Sequence, residues 1–297
     1  MRTITKTSLF LSTFAALVTS TAAPAGPIIF SASGANTTAV FNDFRTAIGG
    51  GSRIAWDGVR LDGTDVNPNT RVIDNGKTVE IPVDRFRAVG AIYADPYAVS
   101  GDGFASVNSG SAGQFPAFSR NNTFAMFDPE NGKFDDRFIE QTFVLPGTNT
   151  AAGTRGFGAI FVDVEQAGTS SIEYFGRTQA GQEVSLGKFD VPIGNSGEAQ
   201  FLGVLFNAPI ITEVVLTVGT HALFSFDGSS IQSFGSENRD NIDLAVTDDF
   251  VFATPVAAQF VLPEPSTLAL FAAAMPFGFR IANRRKGKAA MLTHAAA

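Results

Sequence analysis

Most of the chain alternates between apolar and polar residues in short runs, separated by glycine, asparagine, aspartate and proline. Run 138–145 alternates, with Phe138, Thr142 and Val144 on one face, and run 156–165 places Phe157 and Phe161 on one side and Ile160 and Val162 on the other. A period of two predicts a β-strand, because successive side chains point to opposite faces. Strands are predicted at 28–31, 53–59, 79–83, 88–93, 124–127, 138–145, 156–165, 171–175, 183–191, 199–206, 210–218, 222–226 and 242–252.

One segment, 37–48, has helical spacing instead: Asn36 or Thr37 can cap its start, and three glycines end it. Segments 61–77 and 100–115 are rich in small and polar residues and are predicted as loops. Regularly spaced strands with turns between them predict an all-β fold, an antiparallel β-sandwich or jelly roll with one short N-terminal helix. The expected core includes Phe157, Ile160, Phe161, Leu202, Val204, Leu216 and Phe250.

The N-terminus reads as a secretory signal peptide over residues 1–25. Arg2 and Lys6 precede an apolar stretch at 9–18, and Ala23-Pro24-Ala25 is a small-residue cleavage site. About ten apolar residues are too few to span a bilayer as a helix. The sequence therefore predicts export through the secretion translocon.

The C-terminus carries a second set of signals. Pro263, Glu264, Pro265 and Ser266 precede an uncharged apolar run, 267–279, which a basic cluster follows: Arg280, Arg284, Arg285 and Lys286. The run is shorter than the roughly 20 residues of a full span, but flanking residues and a snorkelling arginine can extend it. We therefore predict a C-terminal transmembrane helix with a cytoplasmic basic end. The alternative is a buried C-terminal helix of the domain.

This order of features resembles the PEP-CTERM sorting signal, and Pro263, Glu264 and Pro265 match its motif. The resemblance implies a Gram-negative bacterium that makes exopolysaccharide, and removal of the tail by the membrane enzyme exosortase. It divides the chain into a β-sandwich domain at 26–255, a linker at 256–262, the sorting signal at 263–288 and a further tail at 289–297, which departs from the family pattern.

The body of the chain carries a resemblance of its own. The runs GFGAIFVDVE, SIEYFG, FLGVLFN and DDFVF are similar to a β-sandwich domain that recurs among PEP-CTERM proteins without an assigned activity. That resemblance covers about residues 37–253. The Asp-Asp-Phe run also resembles galactose-binding-like jelly rolls.

The net charge and the absence of cysteine exclude several kinds of binding partner and metal site. Seven of the 21 basic residues and one of the 28 acidic residues lie in the two predicted signals, so the region between them is near −13. A strongly acidic surface opposes binding to nucleic acid and to anionic lipid. The chain has no cysteine, which excludes disulfides and thiolate metal sites.

Candidate catalytic groups are carboxylates, because His221 is the only histidine between the two signals and no Gly-x-Ser-x-Gly turn is present. The sequence offers three pairs of acidic residues. Glycoside hydrolysis needs two carboxyl groups close together in a cleft, and two residues that are two positions apart on a strand lie on the same face. Asp163 and Glu165 fit that spacing, whereas the adjacent residues Asp248 and Asp249 are expected to point to opposite faces. The alternative is that they are solvated charges or turn formers. The pairs are Asp135/Asp136, Asp163/Glu165 and Asp248/Asp249.

Clustered side-chain oxygens also predict a structural calcium site, with ordinary Asx turns as the alternative. The predicted ligands are Asp128, Glu130, Asp135 and Asp136; a second polar group contains Asp62, Asp65 and Asn67. Aromatic side chains for stacking on sugar rings are few, since the chain has one tryptophan and three tyrosines against 29 phenylalanines. Tyr93, Tyr97 and Tyr174 are the candidates for that role.

The sequence therefore predicts an exported, exosortase-processed protein of the cell surface or extracellular matrix, held transiently in the inner membrane and without enzymatic activity. The alternatives are a carbohydrate-binding module, with or without calcium, and a polysaccharide hydrolase that uses paired carboxylates. The expected partners are exosortase, the secretion translocon, the membrane and polysaccharide, and no nucleic acid. Beyond the calcium option, no cofactor is expected.

Overall fold

The computed structural model describes residues 26–65, 69–129, 132–237 and 241–261. The predicted signal peptide and the whole predicted sorting signal lie outside these ranges. Within them, none of the helices has the length and apolar character needed to cross a bilayer.

In the described ranges one α-helix, α1 (Thr37–Ala47), accompanies sixteen strands whose pairings are all antiparallel. The strands are β1 (Ile28–Ser33), β2 (Ser52–Ile54), β3 (Arg71–Asp74), β4 (Thr78–Ile81), β5 (Ala91–Tyr93), β6 (Tyr97–Ser100), β7 (Thr123–Met126), β8 (Phe138–Phe143), β9 (Gly156–Val162), β10 (Ser171–Arg177), β11 (Glu183–Asp190), β12 (Ala199–Leu205), β13 (Glu213–Thr217), β14 (Phe224–Phe226), β15 (Ile231–Ser233) and β16 (Val246–Phe252).

Two large sheets and one hairpin make up the architecture. The nine-stranded sheet has the order β1-β12-β9-β16-β7-β6-β4-β3, with β2 paired to β16. The five-stranded sheet has the order β11-β10-β13-β8-β5, and β14 pairs with β15. The predicted all-β class with one short helix is therefore confirmed.

Three strands escaped the sequence prediction, and one predicted strand stops early. β3 lies in a segment predicted as a loop, while β6 and β15 lie in segments for which no strand was predicted. The predicted strand 53–59 ends at Ile54, and Trp56–Gly58 form a 3-10 turn. The turn allows the Trp56 ring to stack on Phe124, with ring centroids 3.9 Å apart. Burial of the large ring thus outweighs local strand preference.

The core has two layers, one between the sheets and one on the outer face of the nine-stranded sheet. Every residue of β9 is buried, because α1 and the segment around Phe104 and Phe115 cover that outer face. All seven predicted core residues are buried. Ile160, however, belongs to the outer layer, whereas the other six lie between the sheets.

Paired glycines allow α1 to approach the sheet closely. Gly158 and Gly203 are cross-strand partners on β9 and β12. A Cβ on Gly158 would lie 2.7 Å from the Phe201 ring, and one on Gly203 would lie 3.0 Å from Phe44 of α1. The missing side chains therefore make room for the two aromatic rings that join the helix to the sheet.

The segment predicted as a linker follows the surface of the domain as far as it is described. Val256 exchanges two backbone hydrogen bonds with Gly153, and the Gln259 N–H donates to the Pro209 carbonyl. The Val261 N–H donates to the Arg177 carbonyl, beside the β10–β11 hairpin. The chain is thus attached to the domain until two residues before Pro263.

Candidate functional site

A polar depression of about 330 Å³ lies near the end of β9, and we call it the acidic cleft. Its walls come from two small-residue loops and from the segment after β15. Backbone amides, hydroxyls and one carboxylate dominate this surface. The lining residues are Gly110, Ser111, Ala112, Gly113, Gln114, Ser196, Ser236 and Glu237.

Asp163 lies directly behind this cleft. It follows the last residue of β9 and has a φ of 72°, a left-handed conformation that is uncommon outside glycine. Its buried carboxylate accepts hydrogen bonds from the Gln114 side chain, at 2.5 Å, and from the Gly197 N–H. Burial raises the pKa of Asp163, and these two hydrogen bonds oppose the shift. Asp163 therefore joins the two loops that wall the cleft.

Glu237 is the carboxyl group that lines the cleft itself. Burial, followed by repulsion from Asp163, Asp243 and Glu165, raises the pKa of Glu237 to about 7. The Leu244 N–H donates to one of its oxygens and opposes the shift. A carboxyl group with this pKa is partly protonated at neutral pH, so it can donate as well as accept a hydrogen bond.

Asp243 completes the acidic group from a buried position. Its carboxylate accepts hydrogen bonds from the backbone N–H groups of Glu165 and Gln166 and from the Thr169 hydroxyl. These bonds hold the turn that follows β9 against the segment before β16. Asp243 therefore has a structural role, while its charge contributes to the field at Glu237.

The predicted arrangement of Asp163 and Glu165 on one strand face is wrong. The strand ends at Val162, and the left-handed conformation of Asp163 breaks the alternation that the prediction assumed. The Asp163 carboxylate is also fully buried, with hydrogen bonds to both oxygens. Hydrolysis by two carboxylates requires that both groups face the substrate, and Asp163 does not meet this requirement.

The prediction for Asp248 and Asp249 also fails. A β-bulge in β16 places both residues between the paired positions Thr247 and Phe250. The Ser119 hydroxyl donates to Asp248 and also lowers the pKa of Asp249, so both carboxylates lie near one side chain on the same side of the strand. A bulge of this kind turns neighbouring side chains to a common direction.

The predicted calcium ligands are only partly described, because Glu130 lies outside the described ranges. Asp128, Asp135 and Asp136 influence one another electrostatically. Burial, followed by the charges of Asp95 and Asp128, raises the pKa of Asp136 to about 6. Among the described residues, no group of three or more histidine, cysteine or acidic side chains is arranged to hold a metal ion. The calcium site stays a prediction.

The aromatic candidates for sugar stacking are buried. Tyr93, Tyr97 and Tyr174 are each at most 3% exposed, and Trp56 is fully enclosed. Burial raises the pKa of Tyr93 and Tyr174 well above the usual value. These side chains are core residues, and none of them offers a ring face to a ligand.

His221 packs against another side chain at the surface. Its ring lies 4.7 Å from the Phe234 ring, and its Nδ1 is 2.9 Å from the Thr220 hydroxyl. This ring contact gives His221 a packing role.

Glu237, Asp243 and Gln114 were missed by the sequence analysis. They are separated from Asp163 by many residues, and none belongs to a motif with fixed spacing. The only available signal was the small-residue composition of segment 100–115, which is typical of loops as well as of binding surfaces. Comparisons with protein-family models, curated proteins and solved structures found no match for this chain.

Proposed function

We propose that this chain is an exported β-sandwich protein of the cell surface or extracellular matrix, held briefly in the inner membrane and released by processing near Pro263. The observation that carries the proposal is the C-terminal order of Pro-Glu-Pro-Ser, apolar run and basic cluster. A predicted signal peptide at the other end supports it. The C-terminal transmembrane helix and recognition by an exosortase are parts of the same proposal.

The extent of the folded body supports this division of the chain. β1 begins at Ile28, three residues after Ala25, and the last backbone hydrogen bond of the described domain is made by Val261. Removal of residues 1–25 and of everything from Pro263 onward would leave each described strand intact. The predicted signal peptide and sorting signal can therefore be removed without loss of any described strand of the domain.

Processing can be tested by mass spectrometry of the protein recovered outside a host that carries an exosortase. The expected mature form lacks Arg284 and Arg285 and ends near residues 263–266. Glu264→Ala should leave uncleaved protein in the membrane fraction, and Ser266→Ala is the matched control outside the three motif residues. Recovery of an extracellular form that retains both arginines would contradict the proposal.

A second candidate function is the binding of a neutral polyhydroxylated ligand, such as a segment of matrix polysaccharide, in the acidic cleft. The observation that favours it is the position of Glu237, a partly protonated carboxyl group, among hydroxyl and amide groups in a depression of ligand size. The deep burial of Asp163 favours binding over hydrolysis.

Binding and turnover can be separated with one pair of variants. Glu237→Gln keeps the shape of the cleft but removes its titration, so polysaccharide binding should lose its dependence on pH near neutrality. Asp163→Asn tests hydrolysis: turnover of released exopolysaccharide by the wild type that is lost in a variant with an unchanged circular dichroism spectrum would support an enzyme and contradict the non-enzymatic proposal. Polysaccharide binding measured with and without calcium tests the predicted calcium dependence. If no binding is detected in either condition, the second candidate function is contradicted.

A further inference from the structure

Among the described residues the two large sheets have five edge strands, and four of them carry features that oppose pairing with another chain. β2 has only three residues and contains Arg53. β3 contains Arg71 and Asp74 and has an irregular register. β11 carries Glu183, Lys188 and Asp190 along its length. β5 is only three residues long. Charges, bulges and short length are the usual protection of a sheet edge.

β1 has none of these protections. Its six residues, Ile-Ile-Phe-Ser-Ala-Ser, include no charge, proline or glycine. It pairs with β12 in unbroken register, and no other described strand pairs with its outer edge. Ile28 and Ile29 are 53% and 52% exposed, and as successive strand residues they point to opposite faces. An exposed apolar edge of this kind can accept an added strand.

The sequence of β1 suits pairing with itself. Two identical antiparallel strands in one sheet are related by a two-fold axis, and one residue then faces its own copy. With Ser31 on the axis, Ile29 lies opposite Ser33 and Phe30 lies opposite Ala32, so two large side chains each face a small one. Ile28 extends past the end of the paired strand, because Gly34 begins a 3-10 turn and has a φ of 61°.

We propose that β1 is a homodimerisation edge, where a second copy of this chain adds its own β1 antiparallel with Ser31 facing Ser31. Charge restricts contact between two copies to an uncharged edge such as this one. The region between the predicted signals is near −13, so two copies repel each other over most of their surface. β1 has no charged residue, and therefore its pairing places no like charges opposite each other. The two nine-stranded sheets would become continuous across the axis.

The absence of cysteine allows a direct test, because a single introduced cysteine has no partner within its own chain, so a disulfide dimer of this protein must join the same position in two copies. Directly opposite residues have Cα atoms about 4.5–5.5 Å apart, within the range of a disulfide. In the full chain recovered from producing cells, Ser31→Cys should form a covalent dimer under mild oxidation. Ser33→Cys is the matched control, since its two copies would lie about 14 Å apart and should not cross-link.

A second measurement detects pairing without cross-linking. Ile29→Lys places a charge on the edge and should weaken self-association at least tenfold in sedimentation velocity, with an unchanged circular dichroism spectrum. Equal cross-linking of Ser31→Cys and Ser33→Cys would indicate random collision and would overturn the proposal. A wild-type chain that stays monomeric, or a Ser31→Cys chain that forms disulfides only with other proteins, would also overturn it. These outcomes do not depend on tail processing, so they leave the proposed function untouched.

Discussion

The Asp248 and Asp249 carboxylates, adjacent in sequence, lie on the same side of β16 near Ser119, whose hydroxyl donates to Asp248. Asp249 forms an ion pair with Arg53, whereas Asp248 accepts hydrogen bonds from the backbone N–H groups of Phe118 and Ser119. Asp57 lies 3.4 Å from the same Ser119 hydroxyl. Three carboxylates and one arginine thus surround one serine, and the excess of negative charge makes this group sensitive to pH.

Asp248→Asn should remove a large part of the dependence of stability on pH. Burial, followed by the charge of Asp249, raises the pKa of Asp248 to about 7 from 3.8. The folded state therefore holds more protons than the unfolded state between these values, and the free energy of unfolding falls as pH rises from about 4 to about 7. The shift corresponds to at most about 4 kcal/mol. Chemical denaturation across this range measures the slope.

Asn can keep the hydrogen bonds of Asp248, because its oxygen can accept from the two backbone N–H groups while its amide faces the Ser119 hydroxyl. Above pH 7 the variant should therefore be more stable than the wild type. Asp249→Asn is the contrasting control, since it leaves Arg53 without its ion-pair partner and should destabilise at neutral pH. A wild-type slope in the Asp248→Asn protein would refute the explanation.

Trp56→Ala should destabilise the domain by about 3–5 kcal/mol, the range for removing a large buried aromatic side chain. The Trp56 ring stacks on Phe124 and contacts Phe250 edge-on, and its N–H donates to the Asp248 carbonyl at 2.6 Å. Urea denaturation followed by circular dichroism gives the difference. Phe138→Ala, at a residue 41% exposed, should change the stability by much less, and equal losses would contradict this packing argument.

Asp163→Ala should cost more stability than Asp163→Asn, by about 1–3 kcal/mol. Alanine leaves the Gly197 N–H and the Gln114 amide without their acceptor, and it is poorly suited to a φ of 72°. Asparagine tolerates that conformation and retains one acceptor. Comparison of the two unfolding free energies by urea titration tests the order, and a less stable Asn variant would reverse it.

Truncation after Pro255 should destabilise the domain relative to truncation after Val261, by about 1–3 kcal/mol in total. The shorter chain loses the two hydrogen bonds between Val256 and Gly153 and those made by Gln259 and Val261. Thermal unfolding of the two purified domains measures the difference. If both melt at the same temperature, the segment 256–261 contributes nothing to stability and acts as a simple linker.

The sequence alone determined the class of fold and most of the strands. Strands such as β9, β10 and β12 are long apolar-rich runs bounded by turn residues, and burial on one or both faces requires that composition. Helix α1 was predicted with a similar start and end, because its apolar face and the following glycines are local features. The candidate sorting signals are also local features, because each is recognised from the order of a few neighbouring segments along the chain.

Tertiary structure alone decided the candidate site and the short strands. β3, β6 and β15 have three or four residues each, too few to show a period, and they exist through their pairing partners. The charges of Asp163 and Asp243 act on Glu237 only after folding brings these residues close together. The bulge in β16 likewise places Asp248 and Asp249 on the same side of the strand. Such convergence depends on contacts between residues far apart in the chain, which a pattern of neighbouring residues does not contain.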